Sequence, residues 1–184
     1  MENTLQTLDV LIKKIRPEFY VCLKASLKNA EILSLEEQFK RQIPDDLKAF
    51  YQWKNGQESP CYEAFINNSM FLPLGEALDI ADELTSMIGT DFEAKNWWNK
   101  SWIPIFHNGG GSYICYDTEG TFTGNKGQII EFWNRDQERN VIAANLGDFL
   151  EQLNRYYTEK STEEWDEFFT VDHREGFPKR FTAG

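Results

Sequence analysis

The sequence predicts an α+β fold: a central, mainly antiparallel sheet of about four to six strands, with N-terminal and C-terminal helices packed on it. Three observations carry this. Up to Ile88, apolar side chains recur mostly at helical spacing. Between Trp102 and Ala143 the pattern changes to short apolar runs parted by turn-forming residues. After Asn145 the helical spacing returns. Helices, then hairpin-linked strands, then a helix is the order of an α+β domain, whereas a doubly wound fold needs strands alternating with helices.

The elements follow in order. Leu5, Leu8, Leu11, Ile12 and Ile15 mark an amphipathic helix that Arg16-Pro17 ends. A short apolar stretch, Phe19 to Leu23, comes next. Ile32, Leu35, Phe39 and Ile43 share the face of a second helix, for which Asn29 and the Ser34/Glu37 pair are alternative starts. Ile43-Pro44-Asp45-Asp46 opens another helix, because proline suits a first turn and acids there complement the helix dipole. Leu47, Phe50 and Tyr51 continue it. Asn55-Gly56 stops it, since both residues tolerate the left-handed conformation of a helix end.

Residues 57–70 read as a polar loop holding Tyr62 and Phe65, and Met70 to Leu74 as an edge strand or strand end around Pro73. Glu76 to Met87 is helical, with Ala77, Ile80, Ala81, Leu84 and Ile88 on one face. A polar connection containing Trp97 and Trp98 leads to strands over Trp102–Phe106, Tyr113–Tyr116, Gln128–Trp133 and Arg139–Ala143. The last long helix carries Phe149, Leu150, Leu153 and Tyr157. Residues 1–160 are expected to form one domain, and 161–184 a charged extension with one short helix capped by Ser161 and Glu164.

Composition narrows function. Thirty acids against nineteen bases give a net charge of −11. That balance argues against nucleic acid, whose phosphates need clustered Lys and Arg, and against an anionic membrane surface. It permits a basic protein partner, which electrostatic steering would favour. Aromatic residues make up 15% of the chain, enough for a sizeable core and for an exposed anchor besides. Cys22, Cys61 and Cys115 form no CxxC pair, and His107 and His173 stand alone, so no zinc set is offered. They are expected to be reduced thiols of a cytoplasmic protein. No basic start followed by an apolar run is visible at the N-terminus, and no window is apolar enough for a membrane span.

Candidate chemistries fail on detail. Asn108-Gly-Gly-Gly-Ser112 lacks the lysine of a phosphate loop and leads into a strand rather than a helix, so it reads as a tight turn. Asp117-Thr118-Glu119 begins like a calcium loop, but Phe122 and Gln128 occupy the positions that need Gly and Glu. A His107–Cys115 hydrolase pair is weaker than the reading of Cys115 as a small core residue. The expectation is a non-enzyme without a cofactor or metal. Trp97 and Trp98 are candidate anchors for a protein partner, unless one or both fold back onto the sheet. Asp117 and Glu119 are candidate partner contacts, with a local turn role favoured for Asp117. Glu36 reads as a structural acid at a buried edge, and Pro44, Asn55 and Gly56 as punctuation.

The ordered combination of Glu31-Ile32, Leu35-Glu36, Ile43-Pro44-Asp45-Asp46-Leu47, Phe50-Tyr51, Asn55-Gly56, Trp102-Ile103-Pro104-Ile105-Phe106, Gly110-Gly111, Tyr113 and Cys115-Tyr116-Asp117 resembles the SUKH superfamily. That superfamily includes the fungal Smi/Knr cell-wall regulators and many bacterial relatives. Gly127 before a strand and a final helix over Phe149 and Leu150 agree, so the resemblance spans about residues 10–157. Ser112 departs from it, standing where an acid or amide is frequent. The resemblance implies an α+β fold and a non-catalytic role. The expected function is that of an immunity protein binding a basic toxin domain, nuclease-type in many cases. The alternative is a regulatory scaffold for cell-wall assembly.

Overall fold

The computed structural model describes all 184 residues. The elements are α1 (Glu2–Ile15), α2 (Pro17–Cys22), α3 (Asn29–Phe39), α4 (Asp45–Trp53), β1 (Met70–Phe71), α5 (Leu74–Ser86), β2 (Trp102–His107), β3 (Tyr113–Asp117), β4 (Gln128–Phe132), β5 (Glu138–Ala143), α6 (Leu146–Glu159), a single 3₁₀ turn (Thr162–Glu164) and β6 (Lys179–Thr182). The six strands lie in sequence order in one sheet, and every neighbouring pair is antiparallel. This is the α+β arrangement the periodicities predict. No helix is long and apolar enough to cross a membrane.

The sheet is covered on both faces. Ile103, Ile114, Tyr116, Ile129 and Ile142 face a large core closed by α1, α4 and α6, whose Leu8, Ile12, Phe50, Leu150 and Leu153 are fully buried. Trp102, Cys115, Ile130, Phe132 and Val141 face a smaller core closed by Ala81 of α5 and by Trp98. Two-sided burial explains why β2 is a nearly continuous apolar run instead of an alternating one, and why β4 is buried at four of its five positions. Pro104 sits inside β2, where it cannot donate to a ladder, and the register shifts by a bulge between Pro104 and Phe106.

Helix ends depart modestly from expectation. α3 begins at Asn29 with its preceding N–H, on Lys28, held by Glu31 Oε2 at 2.7 Å. α5 begins at Leu74, two residues early, because Asn55 Oδ1 accepts the Leu74 N–H at 2.9 Å. Gly56 follows at φ +80°, and a Cβ there would lie 2.3 Å from the Pro73 nitrogen, so no other residue fits where the two chain segments cross. Inside the expected polar loop, Asn67 and Asn68 both adopt positive φ and form a two-residue hairpin between Ile66 and Ser69.

The segment after Glu159 is built into the fold rather than trailing as a charged extension. Trp165 and Phe169 pack on Tyr156 and Tyr157 of α6. Backbone N–H groups of Asn67 and Asn68 donate to the carbonyls of Phe169 (3.1 Å) and Phe168 (2.7 Å), and Val171 N–H donates to Asn67 Oδ1 at 2.9 Å. β6 then adds to β5 at the sheet edge. Arg16 locks this region: its guanidinium is buried, stacks on Phe19 and Phe169, and donates to Tyr157 Oη (2.9 Å), Ala64 O (3.0 Å) and Glu63 (3.2 Å).

Candidate protein-binding face

The sequence-predicted contact residues occupy three different environments. Trp98 is 3% exposed, donates its indole N–H to Thr85 Oγ1 at 3.1 Å and meets Trp102 and Phe132 edge-on. It belongs to the smaller core, which corrects its assignment as a partner anchor. Trp97 is half-buried beside Arg139, whose Nε and Nη2 donate to the Trp97 carbonyl at 3.1 and 2.7 Å. Glu119 is exposed and pairs with equally exposed Lys126 at 2.9 Å, an interaction worth little in water.

Asp117 is fully buried, and both its oxygens are used. Oδ1 accepts from Ser101 Oγ (3.0 Å), Glu119 N and Gly120 N (3.1 Å each); Oδ2 accepts from Thr121 N (2.5 Å) and Gln128 Nε2 (2.8 Å). The side chain organises the β3–β4 loop from within and has no face left for a partner, so its partner-contact assignment is also corrected. Glu36 accepts the Ile43 N–H at 2.7 Å and pairs with Lys48 at 2.9 Å, which holds its carboxyl below the ordinary range and joins α3 to α4 just before Pro44. Gly110 and Gly111 form the β2–β3 turn. Asn108 Oδ1 caps Gly110 N and Ser112 N, and a Cβ on Gly111 would stand 2.7 Å from Asn134 Nδ2. Ser112 is buried and bonded to Asn134, a structural position in this chain. Cys115 lies in the smaller core, where burial pushes its thiol far up, while His107 sits at the far end of β2 opposite Tyr113.

Apart from hollows of about 620 Å³ between α1 and α4 and about 200 Å³ beside the end of α6, two concave regions bear on partner binding. The larger, about 960 Å³, lies between the α3–α4 connection, the end of α5 and the β3–β4 loop. Lys40, Arg41, Lys48 and Lys100 line it together with Glu36, Asp45 and Glu119, so its charges largely cancel. The second is a pair of adjoining hollows, of about 530 and 40 Å³, that share Asn68 and Asn108. Tyr62 and Phe168 line one, and Trp133 lines the other. These three, at 77, 45 and 42% exposure, are the exposed large aromatic residues of the protein. The charged residues lining the two hollows are Glu63, Glu167 and Glu131, with no Lys or Arg among them. Aromatic anchors ringed by acids suit a cationic protein surface, because Trp and Tyr supply most contact energy at interfaces and also bind cations through their faces.

Local structure explains the display. The Asn67-Asn68 hairpin holds the 166–171 segment by backbone bonds, and Asp166 Oδ1 accepts from Phe168 N and Thr170 N at 3.0 Å each. Phe169 is thereby turned inward and Phe168 outward. The sequence singles out none of these three aromatics: it places Tyr62 in a loop, Trp133 at the end of a strand and Phe168 in a short helix. The tandem asparagines were the available signal, since two adjacent residues able to adopt positive φ mark a type I′ hairpin.

No individual curated protein matches this sequence. A family model described as SMI1 / KNR4 family (SUKH-1) matches residues 26–152. The matched span runs from just before α3 into α6 and contains the sheet except β6; Tyr62 and Trp133 lie inside it, and Glu167 and Phe168 outside it. Since the match covers well over half of the chain and the helix and strand order agrees with the sequence resemblance, the chain belongs to the SMI1/KNR4 family (SUKH-1).

Proposed function

We propose that this protein is a non-catalytic binding module of the immunity type, which neutralises a basic, nuclease-type toxin domain in the cytoplasm. The observation that carries the reading is the clustering of the exposed aromatics Tyr62, Trp133 and Phe168 on one face whose only lining charges are carboxylates. The net charge of −11 adds long-range attraction for a cationic partner. An enzyme of nucleic acid needs a basic cleft, and an acidic, aromatic surface complements it without any chemistry of its own. Docking there would anchor the partner on two or three rings, while surrounding acids set the association rate and its salt dependence.

Co-expression with the toxin encoded beside this gene tests the reading. Growth is expected to be rescued by the wild type and lost with the Tyr62→Ala/Phe168→Ala double variant. Absence of rescue by the wild type would sink the immunity role. Capture of cell-wall synthesis proteins in place of a toxin would favour the regulatory scaffold that the family resemblance also implies.

A further inference from the structure

The smaller hollow contains a carboxylate that the fold does not neutralise. Glu131 lines it, largely buried, and makes no ion pair with any Lys or Arg. Asn140 Nδ2 donates to its Oε2 at 3.1 Å, and the Trp133 side chain and His173 are its other polar neighbours. Asn140 lies directly across the β4–β5 ladder, and its own Oδ1 is buried with no donor. Burial pushes the Glu131 carboxyl up, while Asn140, His173 and Trp133 favour its charged form. The site therefore holds its carboxylate without a Lys or Arg and leaves the buried Asn140 Oδ1 without a donor. A carboxylate held this way costs the fold stability, since a buried charge is tolerated well only when paired.

The hollow also has the right size and wall. Its volume is about 40 Å³. A water needs roughly 10–15 Å³ of such space, so about three or four heavy atoms fit, the size of a guanidinium group. Trp133 lines the hollow and is 42% exposed. Guanidinium is planar, stacks on indole and brings five N–H donors, whereas ammonium is a compact and more strongly hydrated point charge.

We propose that this hollow is a socket for one arginine side chain of the partner, with Glu131 receiving the guanidinium and Trp133 covering it. The socket deepens the docking-face reading and rests on it for the identity of the arginine's owner. Once filled, it converts an unpaired buried carboxylate into a paired one, so the ion pair is made only in the complex. It thereby selects a partner with an arginine at one position, in addition to the general attraction of the acidic face.

The test uses the full ¹⁵N-labelled protein and three blocked tripeptides, acetyl-Gly-X-Gly-amide with X as arginine, lysine or the neutral isostere citrulline. The Trp133 indole N–H signal is identified by its loss in Trp133→Phe. The arginine peptide is expected to shift that signal saturably with a dissociation constant of about 1 mM, a plausible strength for one buried contact. The lysine peptide should bind at least about tenfold more weakly, as expected for a site that uses stacking and multiple donors. Citrulline should not bind, and Glu131→Gln should abolish the arginine response. No saturable shift, an equal response to citrulline, or undiminished binding by Glu131→Gln would overturn the socket. The citrulline comparison needs no variant, so it decides the matter even if Glu131→Gln folds poorly. Growth rescue by a protein whose hollow ignores arginine would sink the socket and leave the docking face standing. Glu131-dependent arginine binding without rescue would do the reverse.

Discussion

Asp117→Asn replaces one oxygen by an amide nitrogen and leaves the volume of the side chain unchanged. In the wild type, five donors converge on the carboxylate: three on Oδ1 and two, Thr121 N and Gln128 Nε2, on Oδ2. The amide can satisfy only one set. With its oxygen at Oδ1, the new NH₂ group faces two donors; turned over, it faces three. Gln128 Nε2 also donates to Thr121 O at 2.6 Å, so it keeps one partner, and the Thr121 N–H is left without any. Bonds to a charged acceptor are worth about 1.5–3 kcal/mol and an orphaned buried donor costs about 1–3 kcal/mol. One weakened and one orphaned donor therefore cost about 3–4 kcal/mol. For a domain of this size each kcal/mol moves the midpoint by about 2–4 °C, so the melting temperature should fall by roughly 10 °C. Urea unfolding followed by the fluorescence of the six Trp residues measures the loss directly. A loss below about 1 kcal/mol at unchanged denaturant slope would refute the assignment of Asp117 as the organiser of the β3–β4 loop.

The remaining predictions bear on acid stability, the C-terminal segment and the face. Glu36 has its carboxyl lowered by the Ile43 N–H and by Lys48, so its stabilisation is present above the unfolded value, near 4.5, and disappears as pH falls through the folded value; Glu36→Gln should lower neutral-pH stability by about 1 kcal/mol, with the difference vanishing in acid. Glu131 has the opposite sign, because burial raises its carboxyl: Glu131→Gln should be as stable as the wild type or more so at pH 7, the advantage closing as pH falls through the raised folded value and being gone once it reaches the unfolded value, near 4.5. Chemical unfolding at several pH values checks both, and parallel pH curves for the two variants would contradict the assignments. Truncation after Lys160 should destabilise by roughly 4 kcal/mol or more, since it strips Trp165, Phe169 and Val171 from the core and β6 from the sheet; an unchanged urea midpoint would show the segment to be loosely held. Tyr62→Ala and Phe168→Ala should each weaken binding of the proposed toxin partner by at least about 2 kcal/mol, while thermal stability stays within about 0.5 kcal/mol. Calorimetric titration at fixed salt measures the first and thermal melts the second.

The main strands and most helices were legible because the information is local. Leu5, Leu8 and Ile12 mark one helix face by spacing alone, and the apolar run of β2 announces two-sided burial without knowledge of what covers it. Asp117 was legible in role, since Asp after a strand and before a turn has few other uses. Its burial was not, because Ser101 and Gln128 reach it from 16 residues before and 11 after. The adjacent Trp97 and Trp98 looked equivalent in sequence. Only the packing of Thr85, Trp102 and Phe132 decided that Trp98 is interior. β6 was invisible, for Lys-Arg-Phe-Thr carries one apolar side chain, and its strand character comes from pairing with Glu138–Val141 about forty residues earlier.

What the sequence determined by itself is therefore the class of the fold, the main order of helices and strands, and an acidic charge that admits a basic partner. These depend on composition and on the periods of helix and strand, properties that neighbouring residues carry. The tertiary structure alone decided which residues form the face. Tyr62, Trp133 and Phe168 stand 71 and 35 positions apart in the chain and come to line adjoining hollows because a two-asparagine hairpin captures the C-terminal segment. Exposure of an aromatic ring is set by what long-range packing fails to cover, and no local pattern encodes that.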